Sequence, residues 1–544
     1  MERKGWEVSA FDYIVVGAGS AGCVLASRLS EDDGVTVCLI EAGGRDRSPW
    51  IHIPIALPML MHHKRLNWRF ETVPQPHAAG RSIYVPRGKV IGGSSSINGM
   101  VYIRGHRLDY DDWARAGNAG WSYREVLPYF RKSENNVAFG DTPYHRTGGP
   151  LNVEDSESLN PLVEMMCRAA EELQFPRNAD FNGAEQDGFG PRQMNHRDGR
   201  RESAATAFLR PALSRKNLTV LIDTVVDRVA LSGRRATGVE IVERGRRRTL
   251  TARREVILAG GAFASPQILL RSGIGPPEEL AAHGIAVAHA LAGVGKNLQD
   301  HLSVPVRHTT TSTIPYGISW RTLPFWAWQV ARYAFNRRGL MANNLLQACG
   351  YVRSTPSLDR PDLQIILMPL NRTHNTPTGF GHAYGLVAVL LRPRSRGEVG
   401  LASADPLAPP RIDPRFLSAE EDLDLLLRGV KLARRMLESR AWDPVRGPEA
   451  EPGPKAATDE ALKDYIRRVA ATVFHPVGTC KMGNDADAVV DAELRVRGIE
   501  GLRVADASIM PTLIGGNTNA PVIMIAEKAA DMIRGRPPLP PADV

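Results

Sequence analysis

One histidine and one asparagine near the C-terminus have side chains suited to taking a proton from a hydroxyl group. His475 lies in the segment HPVGTCKMG, 44 positions before Asn519 in GGNTNAP. Imidazole has the side-chain pKa closest to neutral pH, so His475 is a candidate general base. The Asn519 amide can donate a hydrogen bond to the oxygen that loses the proton. Phe474, next to the base, is predicted to line the same pocket.

Each of these residues also has a structural interpretation. A lone histidine is more often a packed, hydrogen-bonded side chain than a base. Pro476 argues against a mid-helix position for His475, because the residue before a proline is biased toward extended backbone. Asn519 could instead cap the helix predicted to begin near Pro521, since proline is favoured in a first helical turn. His301, in the segment VGKNLQDH, is interpreted as structural.

A second group of residues, near the N-terminus, has the spacing of a dinucleotide-binding loop. The apolar run 11–16 is followed by Gly17-Ala18-Gly19-Ser20-Ala21-Gly22, which opens a predicted helix over 20–29. Gly17 permits a tight turn, Gly19 lets the backbone approach a pyrophosphate, and Gly22 lets the helix lie close to the sheet. Free N–H groups at the helix N-terminus would bind the phosphates.

An acidic residue stands where such a loop needs one. Glu41 ends the predicted strand 35–40 and lies 19 positions after Gly22. A carboxylate at that position accepts hydrogen bonds from the ribose hydroxyls and repels a 2′-phosphate, which disfavours NADP. The pattern predicts a dinucleotide cofactor, but by itself it does not separate FAD from NAD.

Composition excludes several classes of protein. The chain has 544 residues, 43% of them hydrophobic and 23% charged, which is typical of a globular protein with a large core. The net charge of +9 is spread along the chain without a recognition module, so we predict no nucleic-acid binding. Five cysteines without paired spacing predict reduced thiols and no metal site. These features, with no secretory leader, predict a cytoplasmic protein.

One stretch has the composition of a membrane contact. The segment 323–335, LPFWAWQVARYAF, concentrates aromatic residues before Arg337 and Arg338, as a peripheral membrane contact would. A helix that lines the pocket or contacts a second subunit is the preferred interpretation. A monomer and a homodimer are both compatible with the sequence.

Hydrophobic patterns predict the elements that position these residues. Runs 218–231 and 238–250 alternate as strands of a smaller sheet, and 255–258 is predicted as a buried strand. A helix is expected to begin at Pro266, and the last strong helix is predicted over 521–533. The segment 74–110 lacks periodicity and is predicted to be extended over the cofactor.

Four long motifs resemble those of the glucose–methanol–choline (GMC) oxidoreductases. GKVIGGSSSIN at 88–98 is similar to the first family signature, and GAFASPQILLRSGIG at 261–275 to the second. HPVGTCKMG and the run from GLRVADASIMPT to GGNTNAP are similar to the C-terminal motifs. The resemblance extends from about residue 11 to residue 533.

The resemblance implies an α/β fold of mixed α+β type with two interleaved domains. A Rossmann-like FAD-binding domain would comprise 11–160, 200–308 and 490–535. A substrate domain on a mixed or antiparallel sheet with helices would comprise 161–199 and 309–489. Residues 1–10 and 536–544 would be tails.

Cofactor residues can be carried over position by position. The resemblance implies that the glycine loop and Glu41 bind the ADP part of FAD and that Val226 reaches adenine through its backbone. It implies further cofactor contacts at Ala42, Trp68, Val90, Gly93, Asn98, Gly99, Met100, Val101, Asp506, Ala507, Asn517 and Thr518. Some relatives tether FAD through a histidine before the asparagine of the first signature. Ile97 occupies that position here, so FAD is expected to be bound non-covalently.

The implied activity is oxidation of a primary alcohol to an aldehyde. His475 would take the hydroxyl proton while a hydride passes to flavin N5, and a quinone or electron-transfer protein would reoxidise the flavin. The alternatives are an oxidase that releases hydrogen peroxide, choline dehydrogenase proper, and a flavin photodecarboxylase, which lacks such a base. Segment 314–328 has aromatics but no acid to hold choline, so an uncharged aliphatic or aryl alcohol is favoured.

Overall fold

The computed structural model describes residues 10–371 and 379–544 of the chain. Two sheets, each covered by helices, organise the described residues. The longer helices are Ser20–Leu29, Arg107–Arg115, Tyr123–Ser133, Pro161–Glu172, Gly261–Arg271, Leu323–Asn336, Glu420–Glu438, Asp459–Val469 and Asn519–Ile533. Shorter helices are Pro49–His52, Leu57–Met61, Arg210–Ala212 and Pro277–Ala282, and Ala205–Leu209 is a π-helical turn.

The first sheet carries the glycine loop at the end of its central strand. Its strand order is Leu218–Leu221, Val37–Ile40, Ala10–Val16, Arg246–Leu258, Arg235–Glu243 and Thr224–Ser232, with Leu502–Val504 also paired to Arg246–Leu258. The pairs around Ala10–Val16 are parallel, and the last two pairs along the order are antiparallel. Buried apolar strands of this kind are typical of a sheet with both faces covered.

The prediction of a separate smaller sheet is wrong. The strand Arg246–Leu258 is 13 residues long, and it pairs with Ala10–Val16 on one side and with Arg235–Glu243 on the other. It therefore joins the antiparallel ribbon and the parallel strands into one sheet. Arg244 and Gly245 turn the ribbon with φ angles of 50° and 78°, so the arginine-rich segment is the exposed hairpin that the sequence indicates.

The second sheet is antiparallel and forms the wall opposite the glycine loop. Its order is Glu449–Glu451, Leu302–Thr310, His382–Leu390, Leu363–Met368, Ala348–Val352 and Gly188–Pro191, with Ala471–Thr472 also paired to Leu302–Thr310. Small two-stranded ladders join Phe70–Glu71 to Tyr84–Val85, Glu134–Asn136 to Leu151–Val153, His196–Arg197 to Arg200–Arg201, Ile274–Gly275 to His289–Ala290, and Glu398–Gly400 to Arg411–Asp413.

The helix expected from Pro266 begins five residues earlier, at Gly261, with Pro266 inside it. Proline has no N–H, so the carbonyl of Ala262, one turn before it, loses its helical donor. The Thr479 hydroxyl donates to that oxygen at 2.6 Å. Thr479, in the segment that carries His475, thus supplies the missing hydrogen bond and anchors that segment to the helix.

The C-terminal helix packs on the helix of the glycine loop. It begins at Asn519, two residues before the predicted start, and Thr518 precedes it. The Ser20 hydroxyl donates to Asn519 Oδ1 at 2.7 Å, and Arg28 pairs with the buried Glu527 at 2.7 Å. The helix Ser20–Leu29 and the C-terminal helix therefore meet beside the glycine loop.

The 74–110 segment is mainly irregular, as predicted, but its last residues begin the helix Arg107–Arg115. His106 precedes this helix, and its ring accepts the backbone N–H of Leu108 at 3.2 Å. This cap explains why the irregular segment ends at His106, before the predicted end at residue 110.

Candidate functional site

A large cavity lies between the glycine loop and the second sheet. Its volume is about 1040 Å³, at the upper end of the ~300–1,000 Å³ that small-molecule sites occupy. The predicted site residues on its wall are Gly17, Gly19, Ser20, Ala21, Glu41, Ala42, Trp68, Gly93, Asn98, Gly99, Met100, Val101, Val226, Phe474, His475, Asp506, Ala507, Asn517, Thr518 and Asn519. One cavity therefore connects the N-terminal loop with the C-terminal base.

Two predicted site residues lie behind this wall. Gly22 is packed so closely that a Cβ would lie 1.8 Å from the Gly17 carbonyl oxygen, which explains the glycine as a helix–strand contact. Val90 is fully buried in a small apolar cluster with Ile97 and Leu60. Its side chain supports the loop that carries Ile97.

Backbone, not side chains, forms the floor of the glycine loop. Gly17 has φ +99°, which favours glycine. A Cβ on Gly93 would lie 2.6 Å from the Gly19 Cα, so two loops approach each other without side chains between them. This cradle, at the N-terminus of Ser20–Leu29, has the bare amides and the dipole that a pyrophosphate needs. The residues present therefore fit a dinucleotide.

Glu41 is held at the edge of the cradle. Its Oε2 accepts the Ala18 N–H at 2.9 Å and its Oε1 accepts the Gly43 N–H at 2.8 Å. Burial raises the pKa of this carboxyl to about 7, and the two N–H groups oppose that shift. Each oxygen keeps a lone pair, so the side chain is oriented to accept hydrogen bonds from a ribose.

The carboxylate of Asp506 is bonded within the protein. Its Oδ2 accepts the Gly261 N–H at 2.8 Å and the Ser265 hydroxyl at 2.6 Å, and its Oδ1 accepts from Ser508. These bonds hold the turn after Leu502–Val504 against the Gly261–Arg271 helix. A cofactor contact at Asp506 and Ala507 would thus use mainly their backbone.

A chain of hydrogen bonds sets the tautomer of His475. His301 Nε2 lies 3.1 Å from the Leu391 carbonyl oxygen, which only accepts, so Nε2 carries the His301 proton. His301 Nδ1 is then an acceptor, and His475 Nδ1, 2.9 Å away, must donate to it. This leaves the lone pair of His475 on Nε2, where Asn517 Nδ2 donates at 3.1 Å.

The surroundings of His475 keep its imidazole neutral. Burial, together with His301 and the Arg87 guanidinium, lowers the pKa of His475 well below its usual value. Burial also lowers the pKa of His301 to about 3, which keeps it an acceptor. Both rings are therefore uncharged at neutral pH, and Nε2 is the ring nitrogen that can take a proton once the Asn517 N–H is displaced from its lone pair.

The backbone around the base is held in place by its neighbours. Asp300 Oδ1 accepts the His475 N–H at 2.7 Å, while its other oxygen accepts the Thr472 hydroxyl. Arg87 donates to the Phe474 carbonyl at 2.6 Å. Phe474 has φ +71°, an uncommon conformation for an aromatic residue, and these bonds hold it there. Strain of this kind is concentrated at functional sites.

The structure places Asn517, rather than Asn519, beside the base. Asn519 bonds Ser20 through its side chain, and no side-chain hydrogen bond caps the helix that it begins. Asn517 lies two residues earlier, before the helix, with its amide on His475. The pairing of Asn519 with the substrate oxygen stays a prediction from sequence, and the geometry favours Asn517 for that contact.

His301, interpreted as structural from the sequence, contacts the candidate base directly. It precedes the strand Leu302–Thr310, and it reaches His475 across 174 positions of sequence. No local pattern links the two, since each stands in its own loop. The sequence also gave no signal for Arg192, a buried arginine on the cavity wall.

The aromatic helix Leu323–Asn336 has two different faces. Trp326 lines the cavity and donates to the Gly317 carbonyl at 3.0 Å, in agreement with a pocket-lining helix. Trp328 and Phe335 point outward, with 63% and 97% of their surfaces exposed. In the ranges 10–371 and 379–544, no helix is long and apolar enough to cross a membrane, and no cluster of ligating side chains could hold a metal ion.

Comparisons with known proteins cover nearly the whole chain. The GMC oxidoreductase family matches residues 11–303 and 393–526. An alcohol dehydrogenase (acceptor) of Pseudomonas putida is 44% identical over 526 residues, 96% of this chain and 95% of that protein. An oxygen-dependent choline dehydrogenase of Photobacterium profundum is 42% identical over 541 residues, 98% of this chain and 95% of that protein.

Solved structures are similar throughout both sheets. Pyridoxine 4-oxidase from Mesorbium loti has a TM-score of 0.88 and 33% identity, covering 97% of this chain and 100% of that one. Formate oxidase from Aspergillus oryzae, studied for modification of its FAD, has a TM-score of 0.90 and 28% identity, covering 97% and 98%. The matched residues include the glycine loop, His301 and His475, and the chain therefore belongs to the GMC oxidoreductase family.

Proposed function

We propose that this protein oxidises a primary alcohol to an aldehyde, with non-covalently bound FAD as the hydride acceptor. The observation that carries the proposal is the Nε2 lone pair of His475, fixed by His301 and lying beside the Asn517 amide on the cavity wall. The alcohol dehydrogenase and choline dehydrogenase names of the relatives support the same reaction class.

The residues divide the work between binding and proton transfer. The glycine loop and Glu41 would hold the ADP part of FAD, and 98–101 with Asn517 and Thr518 would surround its ring. When bound, FAD supplies the acceptor for the hydride that leaves the carbinol carbon. The alcohol hydroxyl would replace the Asn517 N–H on His475 Nε2. Asn517 would then donate to the alcohol oxygen and orient it, while Nε2 removes the hydroxyl proton.

His301 acts on the base as a positioning residue. Because it accepts the His475 Nδ1–H, it prevents the ring from presenting a proton to the substrate. Once Nε2 takes the substrate proton, the imidazolium has a low pKa in these surroundings. It therefore releases the proton readily after the aldehyde has left, which restores the free base.

Mixing the holoprotein with alcohols under anaerobic conditions in the dark tests this function. We expect primary alcohols to bleach the flavin absorption and to yield the aldehyde. A photodecarboxylase would leave the flavin oxidised in the dark, and so would a protein that only binds flavin. If no alcohol in a broad panel reduces the flavin, the proposal is wrong.

The same reduced sample can distinguish between the proposed electron acceptors. We propose a quinone or another non-oxygen acceptor. Adding a soluble quinone should therefore restore the flavin colour faster than adding the same concentration of oxygen. Faster reoxidation by oxygen, with hydrogen peroxide formed, would favour the oxidase alternative.

Non-covalent FAD can be tested by acid precipitation of the holoprotein. The predicted tether position is Ile97, an apolar side chain packed with Val90 and Leu66, which cannot form a flavin bond. We expect all of the yellow colour in the supernatant. Colour that stays with the precipitate, or flavin of altered mass in the supernatant, would contradict unmodified, non-covalent FAD.

The pH dependence of kcat/KM reports the state of the base. His475 must be neutral to act, and its pKa is lowered well below the usual ~6.5 of histidine. Activity should therefore persist as pH falls through 6.5, with the acid limb below that value. An acid limb centred at or above pH 6.5 would show that the ring is not desolvated as the structure indicates.

The outward face of the helix Leu323–Asn336 bears on what the protein contacts in the cell and not on the reaction it catalyses. Its exposed aromatics suit a peripheral membrane contact or contact with a second copy of the chain. Both remain predictions, as does the cytoplasmic location. Neither changes the proposed reaction, since Trp326 faces the cavity from the opposite side of this helix.

A further inference from the structure

A buried arginine stands on the cavity wall without an acidic partner. Arg192 follows the strand Gly188–Pro191 and is 3% exposed. Its backbone N–H donates to the Gln347 carbonyl at 2.9 Å, which fixes it at the end of the sheet. It lines the same cavity as His475. A guanidinium is always charged, so this position brings a permanent positive charge into the cavity.

The Arg192 guanidinium is bonded far below its capacity. Nε donates to the Leu346 carbonyl at 3.0 Å, whereas Nη2 has no hydrogen-bond partner among residues 10–371 and 379–544. No carboxylate in those ranges forms an ion pair with it. A buried charge without a partner is costly, and because Arg192 lines the cavity, an anion bound there would neutralise that charge.

Other buried arginines of the protein show how the fold normally satisfies such a group. Arg104 lies 2.6 Å from Glu134. Arg201 lacks a carboxylate but donates four hydrogen bonds to oxygen atoms. Arg192 donates one such bond and has no carboxylate partner, so it is the least satisfied of these three.

Three other arginines line the cavity: Arg69 is exposed to solvent, and Arg271 and Arg87 are engaged within the protein. Arg271 lies 3.4 Å from Asp227 and donates to the Asp227 carbonyl. Arg87 donates to the carbonyls of Phe474 and Pro86 and lies in the field of Asp300. Of the four arginines, Arg192 is therefore the one that is both buried and without an acidic partner, and it is the best placed to hold an anion from outside the chain.

The position of Arg192 separates it from the pyrophosphate cradle. Its neighbour Leu346 packs on Gly99, where a Cβ would lie 2.8 Å from Leu346 Cδ1, and Asn195 donates to the Met100 carbonyl at 2.7 Å. Arg192 thus stands beside the 99–100 segment, on the side of the second sheet. The pyrophosphate cradle is at Gly17 and Gly19, on the first sheet.

Among the described residues 316–371 and 379–387, no acid that would attract a cation lines the cavity. The described residues between 316 and 387 that line the cavity are all uncharged, namely Tyr316, Ile318, Trp326, Asn344, Leu345, Leu346, Gln364, Ile366, Met368, Leu370 and Val387. A quaternary ammonium would meet like charge here without an acidic counter-group.

We propose that the substrate is a hydroxy acid whose carboxylate binds Arg192 while its terminal hydroxyl is oxidised at His475. This rests on the proposed function and names its substrate class. A carboxylate forms strong charge-assisted hydrogen bonds with a guanidinium, and an apolar wall suits the chain between the two ends. The carboxylate is not changed: CH–OH loses a hydride to FAD and a proton to His475, and C=O forms.

Paired substrates of equal length test the proposal on the holoenzyme. We would compare 6-hydroxyhexanoate with hexan-1-ol, and shorter and longer pairs, for the wild type, Arg192→Met and Arg192→Lys. A hydrogen bond to a charged group contributes ~1.5–3 kcal/mol, so Arg192→Met should lower kcat/KM for the hydroxy acids by about 10- to 150-fold. Hexan-1-ol should change by less than about threefold, and Arg192→Lys should retain part of the preference.

Binding without turnover provides a second readout. Sodium hexanoate should perturb the flavin absorption spectrum of the wild type. It should also inhibit the oxidation of hexan-1-ol competitively. Arg192→Met should weaken that binding by the same factor while keeping its flavin content and melting temperature. Equal weakening of hexan-1-ol oxidation would indicate a merely structural role and overturn the proposal.

The outcomes separate this inference from the proposed function. If simple alcohols bleach the flavin but hydroxy acids of every length do not, the Arg192 inference is wrong and alcohol oxidation stands. If Arg192→Met leaves the preference for hydroxy acids unchanged, the inference is also wrong. If neither class bleaches the flavin, the proposed function itself fails.

Discussion

Replacement of His475 by alanine should lower kcat/KM for the best alcohol by about 10²- to 10⁴-fold, the range expected for loss of a general base. The flavin content should stay that of the wild type, because the side chain of His475 bonds His301 and Asn517 and not the glycine loop or Glu41. The rate of anaerobic flavin reduction in a stopped-flow experiment measures the effect on the chemical step directly.

A matched histidine distinguishes loss of the base from loss of packing. His308 lies in the strand Leu302–Thr310 of the second sheet, with its Nδ1 2.9 Å from the Gly447 carbonyl oxygen. It does not line the cavity. His308→Ala should change kcat/KM by less than about threefold. If His475→Ala reduces flavin as fast as the wild type, His475 is not the base.

Asn517→Ala should produce the second largest loss, about 10- to 100-fold in kcat/KM. The variant removes the amide that lies 3.1 Å from His475 Nε2, and with it a hydrogen bond to the oxygen on which negative charge develops. A bond of that kind contributes ~1.5–3 kcal/mol. Comparison of kcat with KM shows whether the bond acts mainly in the transition state.

Asn519 is the natural control for Asn517. Its side chain bonds Ser20 beside the glycine loop, so Asn519→Ala should weaken FAD binding more than it slows flavin reduction in the FAD-saturated enzyme. Titration with FAD and the flavin reduction rate measure these two effects separately. A larger fall in reduction rate for Asn519→Ala than for Asn517→Ala would restore the assignment made from sequence.

The two asparagines show a limit of sequence-based prediction. The motif GGNTNAP places both within three positions, and either could face the base. The start of the C-terminal helix decides between them, and a boundary predicted two residues late moves the side chains to other directions. Helix boundaries are uncertain by this much in a sequence-based prediction.

The glycine loop was more predictable because its physics is local. The strand, the turn and the helix Ser20–Leu29 lie within twenty residues, and the helix bounds agree with the prediction. The apolar strand Ala10–Val16 and the acid at its neighbour's end follow from the same pattern. Each of these features depends on residues close in sequence.

The hydrogen-bond chain through His301 could not be predicted in this way. It joins Leu391, His301, His475 and Asn517, which lie on four separate segments. The charge of Arg192 is a similar case, since only the fold reveals that no acid among the described residues pairs with it. The bond from Thr479 to Ala262 likewise explains Pro266 only after the helix is seen.

A crystal structure of the holoenzyme with a bound alcohol analogue tests the central claim most directly. The account predicts that the analogue's oxygen lies within hydrogen-bonding distance, about 2.6–3.2 Å, of both His475 Nε2 and Asn517 Nδ2. The carbinol carbon should face flavin N5 across the same cavity. An analogue oxygen bonded to other groups, with His475 turned away from the flavin ring, would contradict the account.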